Sequence, residues 1–107
     1  ITNIFYLPDE SNRFNKLWKK FHKINNGLIT FSIKNNGNIS VFVDSLNLFK
    51  IGFSWGGYES LILPLERLKP SRNISKNTNY WFRIHIGLEN YEDLIKDIDN
   101  AMKKYAK

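Results

Sequence analysis

With 107 residues, 42% of them apolar and 15% aromatic, the chain has the material for one domain with a sizeable core, which excludes intrinsic disorder. The absence of cysteine excludes a disulfide framework and fits a reducing compartment such as the cytoplasm, while a net charge of +6 raises nucleic acid as a partner. No apolar run approaches the roughly eighteen residues of a membrane span and no charged-then-apolar leader opens the chain, so neither a span nor a signal peptide is expected.

Ile1 stands where an initiator methionine would, so the expectation is a processed, trimmed or excised piece of a longer polypeptide. Residues 1–10 read as an extended lead-in ending near Pro8. Ser11 is placed to cap a helix in which Phe14, Leu17, Trp18, Phe21 and Ile24 recur at helical spacing. Asn25-Asn26-Gly27 ends it. Leu28 to Ile33 alternates, with Leu28, Thr30 and Ser32 against Ile29, Phe31 and Ile33, which marks a strand. Asn35-Asn36-Gly37 is the next turn.

Residues 39–49 fit a helix through Ile39, Phe42, Val43 and Leu46, and a strand through Ile39, Val41 and Val43. Their β-branched content favours the strand and their length the helix, and a helix is expected. Two short strands are expected at Ile51–Trp55 and Glu59–Leu63, joined through Gly56-Gly57. Pro64 to Tyr80, rich in Ser, Asn and Lys, reads mostly as loop. Trp81–Ile86 is the clearest strand. Gly87 breaks it, and Asn90, with Asp93 three residues on, caps a last helix whose buried face is Leu94, Ile95, Ile98, Ala101, Met102 and Tyr105. The order predicts an α/β (α+β) two-layer sandwich, a mostly antiparallel sheet with helices on one face.

The positive charge has an ordinary explanation. Lys16, Lys19, Lys20 and Lys23 line the polar side of the first helix, and Lys103, Lys104 and Lys107 form a solvated tail. No base-stacking aromatic pair sits among them, which argues against an RNA-binding module and leaves it as a rival reading. The sequons Asn38-Ile39-Ser40 and Asn73-Ile74-Ser75 would matter only in a secreted protein.

The last strand carries the chemistry. Alternation puts Phe82, Ile84 and Ile86 on one face and Trp81, Arg83 and His85 on the other. The first suits a core; the second suits a cleft wall or an interface. Arginine's planar fork matches a carboxylate or phosphate, most strongly where water is excluded. The alternative is an arginine paired with a structural acid. With two histidines and no cysteine a metal site is not expected, and His85 reads as packed and hydrogen-bonded. Ser54-Trp55-Gly56-Gly57 matches neither a nucleophile elbow nor a Walker loop. Its glycines permit φ > 0 and a close approach, letting backbone N–H groups near Ser54 and Trp55 reach a small anion. An ordinary hairpin turn with Trp55 in the core is the other possibility.

The segments GFSWGGYESLILP (52–64) and WFRIHIGLE (81–89), in this order, resemble the C-terminal part of the pyridoxal-phosphate enzymes that make and break carbon–sulfur bonds, most nearly the cystathionine β-lyases. In those lyases the WFRIHIGLE-like segment supplies the arginine that binds the substrate α-carboxylate, which implies Arg83 here. The SWGG-like segment forms the nearby wall, implying Ser54 and Trp55 as substrate-binding residues. Related γ-synthases and γ-lyases usually carry leucine at the position of Trp55. Some β-lyases have tyrosine where this chain has Phe53, so a hydroxyl contact would be missing.

The resemblance implies residues 1–107 as a single C-terminal small domain of a fold-type I pyridoxal-phosphate enzyme, with the cofactor-binding large domain absent. The cofactor, pyridoxal 5'-phosphate, would sit in that other domain, whose Schiff-base lysine has no counterpart here. No catalytic residue and no metal ligand is expected in this chain. The implied substrate is a cystathionine-like amino acid, cleaved to homocysteine, pyruvate and ammonia in transsulfuration and methionine biosynthesis. A homo-oligomer is implied, with neither nucleic acid nor membrane as partner. The rival within the family is an inactive remnant that keeps only the fold.

Overall fold

The computed structural model describes residues 1–65 and 79–107. In chain order the elements are β1 (Asn3–Phe5), α1 (Asn15–Phe21), β2 (Leu28–Ile33), α2 (Ile39–Asp44), β3 (Lys50–Ile51), β4 (Leu61–Pro64), β5 (Tyr80–His85) and α3 (Tyr91–Tyr105). The five strands form one sheet in the order β1-β2-β5-β4-β3. All neighbours are antiparallel except β3 and β4, which run parallel.

Register follows from the apolar alternation. Ile29 lies opposite Ile84, and Phe31 opposite Phe82. A slip of one residue would turn this whole set to the other face, so the pairing is strongly specified. Phe31 stacks on Phe82 at 5.3 Å between centroids, and Phe42 of α2 meets Phe82 edge-on at 5.1 Å. Tyr105 of α3 reaches the same cluster, 6.4 Å from Phe42. Such pairs add about 0.5–1.5 kcal/mol each beyond the area they bury. Phe42 and Phe82 are fully buried. The Tyr105 hydroxyl donates to the Lys34 carbonyl at 2.6 Å, tying the end of α3 to the turn after β2.

Caps and local turns differ from expectation at the N-terminal end. Ser11 does not cap α1, which begins at Asn15 after Phe14 without a side-chain cap. Asp9 and Asn12 instead accept from the N–H groups of Ser11 and Phe14, so short polar side chains spend their acceptors on the preceding turns. Of the apolar stripe on α1 only Trp18 is buried; Phe14, Leu17, Phe21 and Ile24 are exposed. The helix expected over 39–49 is confined to α2, where Asn38 caps by accepting from Ser40 N–H.

The strands expected at Ile51–Trp55 and Glu59–Leu63 shrink to β3 and β4, and their parallel pairing rules out a hairpin. The residues between them form a loop drawn across to β5. Pro64 and Tyr80 belong to strands, and residues 66–78 of the expected loop lie outside the described residues. α3 is capped by Asn90, which accepts from Glu92 N–H. Its face is as expected for Leu94, Ala101 and Tyr105, but Ile95 points to solvent and Asp97 is buried in its place.

Asp97 fastens the layers. One carboxylate oxygen accepts from Asn47 N–H and the other from the N–H groups of Leu48 and Phe49, at 2.8 to 3.3 Å. Burial works against the charge, yet these donors outweigh it and hold the carboxyl below its ordinary value. The connection from α2 to β3 is thereby bonded to α3.

Candidate functional site

Leu28, Thr30 and Ser32 share the sheet face of Trp81, Arg83 and His85, because Leu28 pairs with His85, Thr30 with Arg83 and Ser32 with Trp81. This is the face without the aromatic core. Ser32 is nevertheless fully buried, its hydroxyl 2.7 Å from Thr2 Oγ1 and accepting from Asn3 Nδ2. Phe5 of β1 stacks on Trp81 at 5.6 Å. Arg83 thus stands on the central strand, beside an aromatic pair.

The loop 52–60 closes over the end of this face. Arg83 Nη2 donates to the Phe53 carbonyl and more weakly, at 3.5 Å, to that of Ser54. Arg83 Nε is shielded from solvent and has no hydrogen-bond partner, and Nη1 makes no hydrogen bond among the described residues. No acidic side chain among the described residues pairs with Arg83. A shielded N–H donor without an acceptor costs on the order of 1–3 kcal/mol.

Two further residues hold the loop. Gly56 N–H donates to the ring edge of His85, 3.1 Å from Nε2 and 3.4 Å from Nδ1, and the Gly57 carbonyl lies 3.1 Å from Nε2. Glu89 accepts from Ser60 N–H at 2.9 Å and from the Ser60 hydroxyl at 2.7 Å. Ser60 Oγ in turn accepts from Gly87 N–H. The bond from Ser60 N–H holds the Glu89 carboxyl below its ordinary value, with smaller help from the Ser60 hydroxyl and from positive charge on His85.

Ser54 and Arg83 are therefore brought together through the Ser54 carbonyl, and the N–H groups of Ser54 and Trp55 make no hydrogen bond among the described residues. Trp55 is 62% exposed on the loop, not in the core. His85 is packed and hydrogen-bonded, beneath Gly56 and Gly57. Phe53 matters through its carbonyl, which the side chain's identity could not show. Glu89 and Ser60 lie outside the expected site residues. The available signal was Glu89 itself, an acid just past a buried strand with a small hydroxyl residue at the start of the neighbouring one.

Every lysine among the described residues is exposed, and no described acid pairs with the one guanidinium of the site. Among the described residues these groups do not form a cradle for pyridoxal phosphate. Among the described residues no group of three or more His, Cys, Asp or Glu could hold a metal ion, and no helix is long and apolar enough to cross a membrane.

The family described as Cys/Met metabolism PLP-dependent enzyme matches residues 1–103. The chain is 38% identical over 95 residues to the L-alanine/L-glutamate racemase of Wolbachia pipientis wMel, covering 83% of this chain and 23% of that protein. It is 37% identical over 92 residues to the cystathionine beta-lyase MetC of Escherichia coli (strain K12), covering 78% and 23%. Among solved structures it is similar to cystathionine gamma-lyase from Lactobacillus plantarum complexed with L-serine, with a TM-score of 0.81 and 23% identity over 98% of this chain and 29% of that one. The chain spans less than a quarter of the length of these curated relatives.

Proposed function

The chain belongs to the Cys/Met metabolism PLP-dependent enzyme family, and from that premise we propose that it is the C-terminal small domain of a carbon–sulfur lyase acting on a cystathionine-like amino acid. Its share of the work is orientation. Arg83, with the backbone at Ser54 and Trp55, holds the substrate α-carboxylate and so sets the direction of the bonds at the α-carbon. The cofactor, supplied by the remainder of such an enzyme, provides the electron sink for that carbon.

One observation carries this reading. Arg83 stands on an aromatic face, anchored on one side by the Phe53 carbonyl, with Nε shielded and unpartnered and no acid paired to it among the described residues. The names of the relatives cover a racemase and lyases, and both kinds of substrate carry an α-carboxylate. Trp55 favours the β-lyase branch, given the leucine usual in the γ-enzymes. A methionine-biosynthetic role, a cytoplasmic setting and a homo-oligomeric parent follow from the same reading.

The test uses Arg83→Leu in the full-length, cofactor-loaded enzyme. Loss of two charge-assisted bonds should cost about 2–5 kcal/mol, a fall in kcat/KM of roughly thirty-fold to several thousand-fold. Arg83→Lys should recover only part, because an ammonium cannot reproduce the fork. With a substrate analogue bearing an amide in place of the α-carboxylate, the advantage of wild type over Arg83→Leu should largely vanish. Equal discrimination of acid from amide by both enzymes would overturn the assignment.

A further inference from the structure

We infer that His85 is a positioning residue for Arg83, acting through the loop 52–60, and that it does so only while its ring is neutral. The inference rests on the carboxylate-binding reading for its consequence, but its structural part stands without it. β5 presents Arg83 and His85 on one face, two residues apart, and the loop touches both. Arg83 Nη2 is bonded to the Phe53 carbonyl, and three residues further on Gly56 N–H is bonded to His85. The guanidinium is therefore held by a backbone carbonyl whose own position depends on the imidazole.

The chemistry of the ring decides the state. Gly56 N–H needs a nitrogen lone pair, and either neutral tautomer supplies one. A doubly protonated ring has none and would turn an N–H towards an N–H. Only the Gly57 carbonyl, 3.1 Å from Nε2, would still find a donor. Protonation thus breaks the contact to Gly56 N–H while leaving the buried ring hydrogen-bonded to the Gly57 carbonyl.

Charges of both signs surround His85. Glu89, past the end of β5, is close enough for positive charge on His85 to lower its carboxyl. Arg83 stands on the same strand face. Lys50 of β3 lies at the end of the same cross-strand row, Lys50–Leu61–His85, and adds positive charge more remotely. Glu59 and Tyr58 are exposed on the loop, and β2 offers only Leu28 opposite the ring.

The loop is secured independently at both ends. Glu89 holds Ser60 through two bonds, Leu88 N–H donates to the Tyr58 carbonyl at 2.8 Å, and Gly52 N–H donates to the Ile62 carbonyl at 3.1 Å. With the Gly57 carbonyl also keeping its donor, releasing Gly56 N–H loosens only the stretch between Gly52 and Gly57. That stretch carries Phe53, Ser54 and Trp55.

The experiment needs no variant at first. In the isotope-labelled chain, the ring nitrogens of His85, the amide of Gly56 and the Nε–H of Arg83 are followed by NMR against pH. The three signals should move together with one midpoint, while amides of α3 stay put. His85→Phe, which keeps the ring but has no acceptor, should show the low-pH Arg83 signal at every pH, and His85→Gln should restore part of the wild-type position. In the full-length cofactor-loaded enzyme, His85→Phe should raise KM for the amino-acid substrate by roughly ten- to a hundred-fold, with kcat changed less. It should also remove the matching inflection from the pH profile of kcat/KM.

An Arg83 signal indifferent to the titration of His85 in the wild-type chain would overturn the inference, whether or not either variant folds. If the signals move together but Arg83→Leu leaves acid-over-amide discrimination intact, the positioning stands and the carboxylate reading falls.

Discussion

Gly56 has a φ of +82°, and a Cβ at either Gly56 or Gly57 would meet nothing within 4 Å. Space is therefore equal at the two positions and conformation is not, since Gly56 has the one positive φ among the described residues. Gly56→Ala should destabilise the chain by about 1–2 kcal/mol, the cost of a side chain in the left-handed region. Gly57→Ala should stabilise slightly, by about 0.4–1 kcal/mol, because it restricts the unfolded chain without straining the folded one. Urea midpoints compare them directly, and equal shifts would mean that the turn relaxes. A cation within an apolar strand was enough to single out Arg83 from sequence. The loop contacts were not readable in that way. They use backbone atoms of Phe53, Ser54, Gly56 and Gly57, and a backbone carbonyl looks the same in every residue.

α3 shows how an element can be read correctly in outline and wrongly at one position. Its start at Asn90 and its stripe of Leu94, Ala101 and Tyr105 follow from capping and periodicity. Asp97 occupies that same stripe, three residues after Leu94 and four before Ala101, which was the available hint. Hydrophobicity assigns an aspartate to solvent and Ile95 to the core; three unpaired backbone N–H groups after α2 reverse the choice. Asp97→Asn keeps one acceptor oxygen and should cost about 1–3 kcal/mol near neutral pH. The folded-state pKa of Asp97 is depressed, so its contribution is complete above the ordinary value of 3.8 and is lost as pH falls below it. The gap in urea midpoint between wild type and Asp97→Asn should accordingly narrow from about pH 5 to about pH 2. A gap that stays constant would show that the carboxylate charge is not what holds the connection. The pairing of β3 with β4 was hidden for a related reason, since the loop between them is shaped by partners in and beyond β5.

The fold class was readable because two layers need one apolar face each, and the alternation in β2 and β5 and the stripe on α3 supply them. The same logic leaves other surfaces uncovered. Leu17, Phe21 and Ile24 are 58%, 69% and 83% exposed, and Leu88 beside the candidate site is 85% exposed. Patches of this kind mark surfaces that pack against something. The chain on its own should self-associate reversibly in sedimentation velocity as concentration rises, and Phe21→Lys combined with Ile24→Lys should weaken that. A sharp monomer at all concentrations would show that these side chains need no cover. Mixed with pyridoxal phosphate and cystathionine, the chain alone should release no pyruvate, because among the described residues every lysine is exposed and no phosphate cradle is present. Sustained pyruvate release abolished by one lysine substitution would contradict this.

β5 lies in the middle of the sheet, bonded along both edges to β2 and β4. Its amides can exchange with deuterium only when the domain opens as a whole, whereas the loop 52–60 is held largely by side chains and can open by itself. On warming, such a domain would pass first through a state with the sheet intact and the loop released. Arg83 would still be in place, facing a wall that had moved away. Binding would then fail at a temperature where circular dichroism still reports a folded chain.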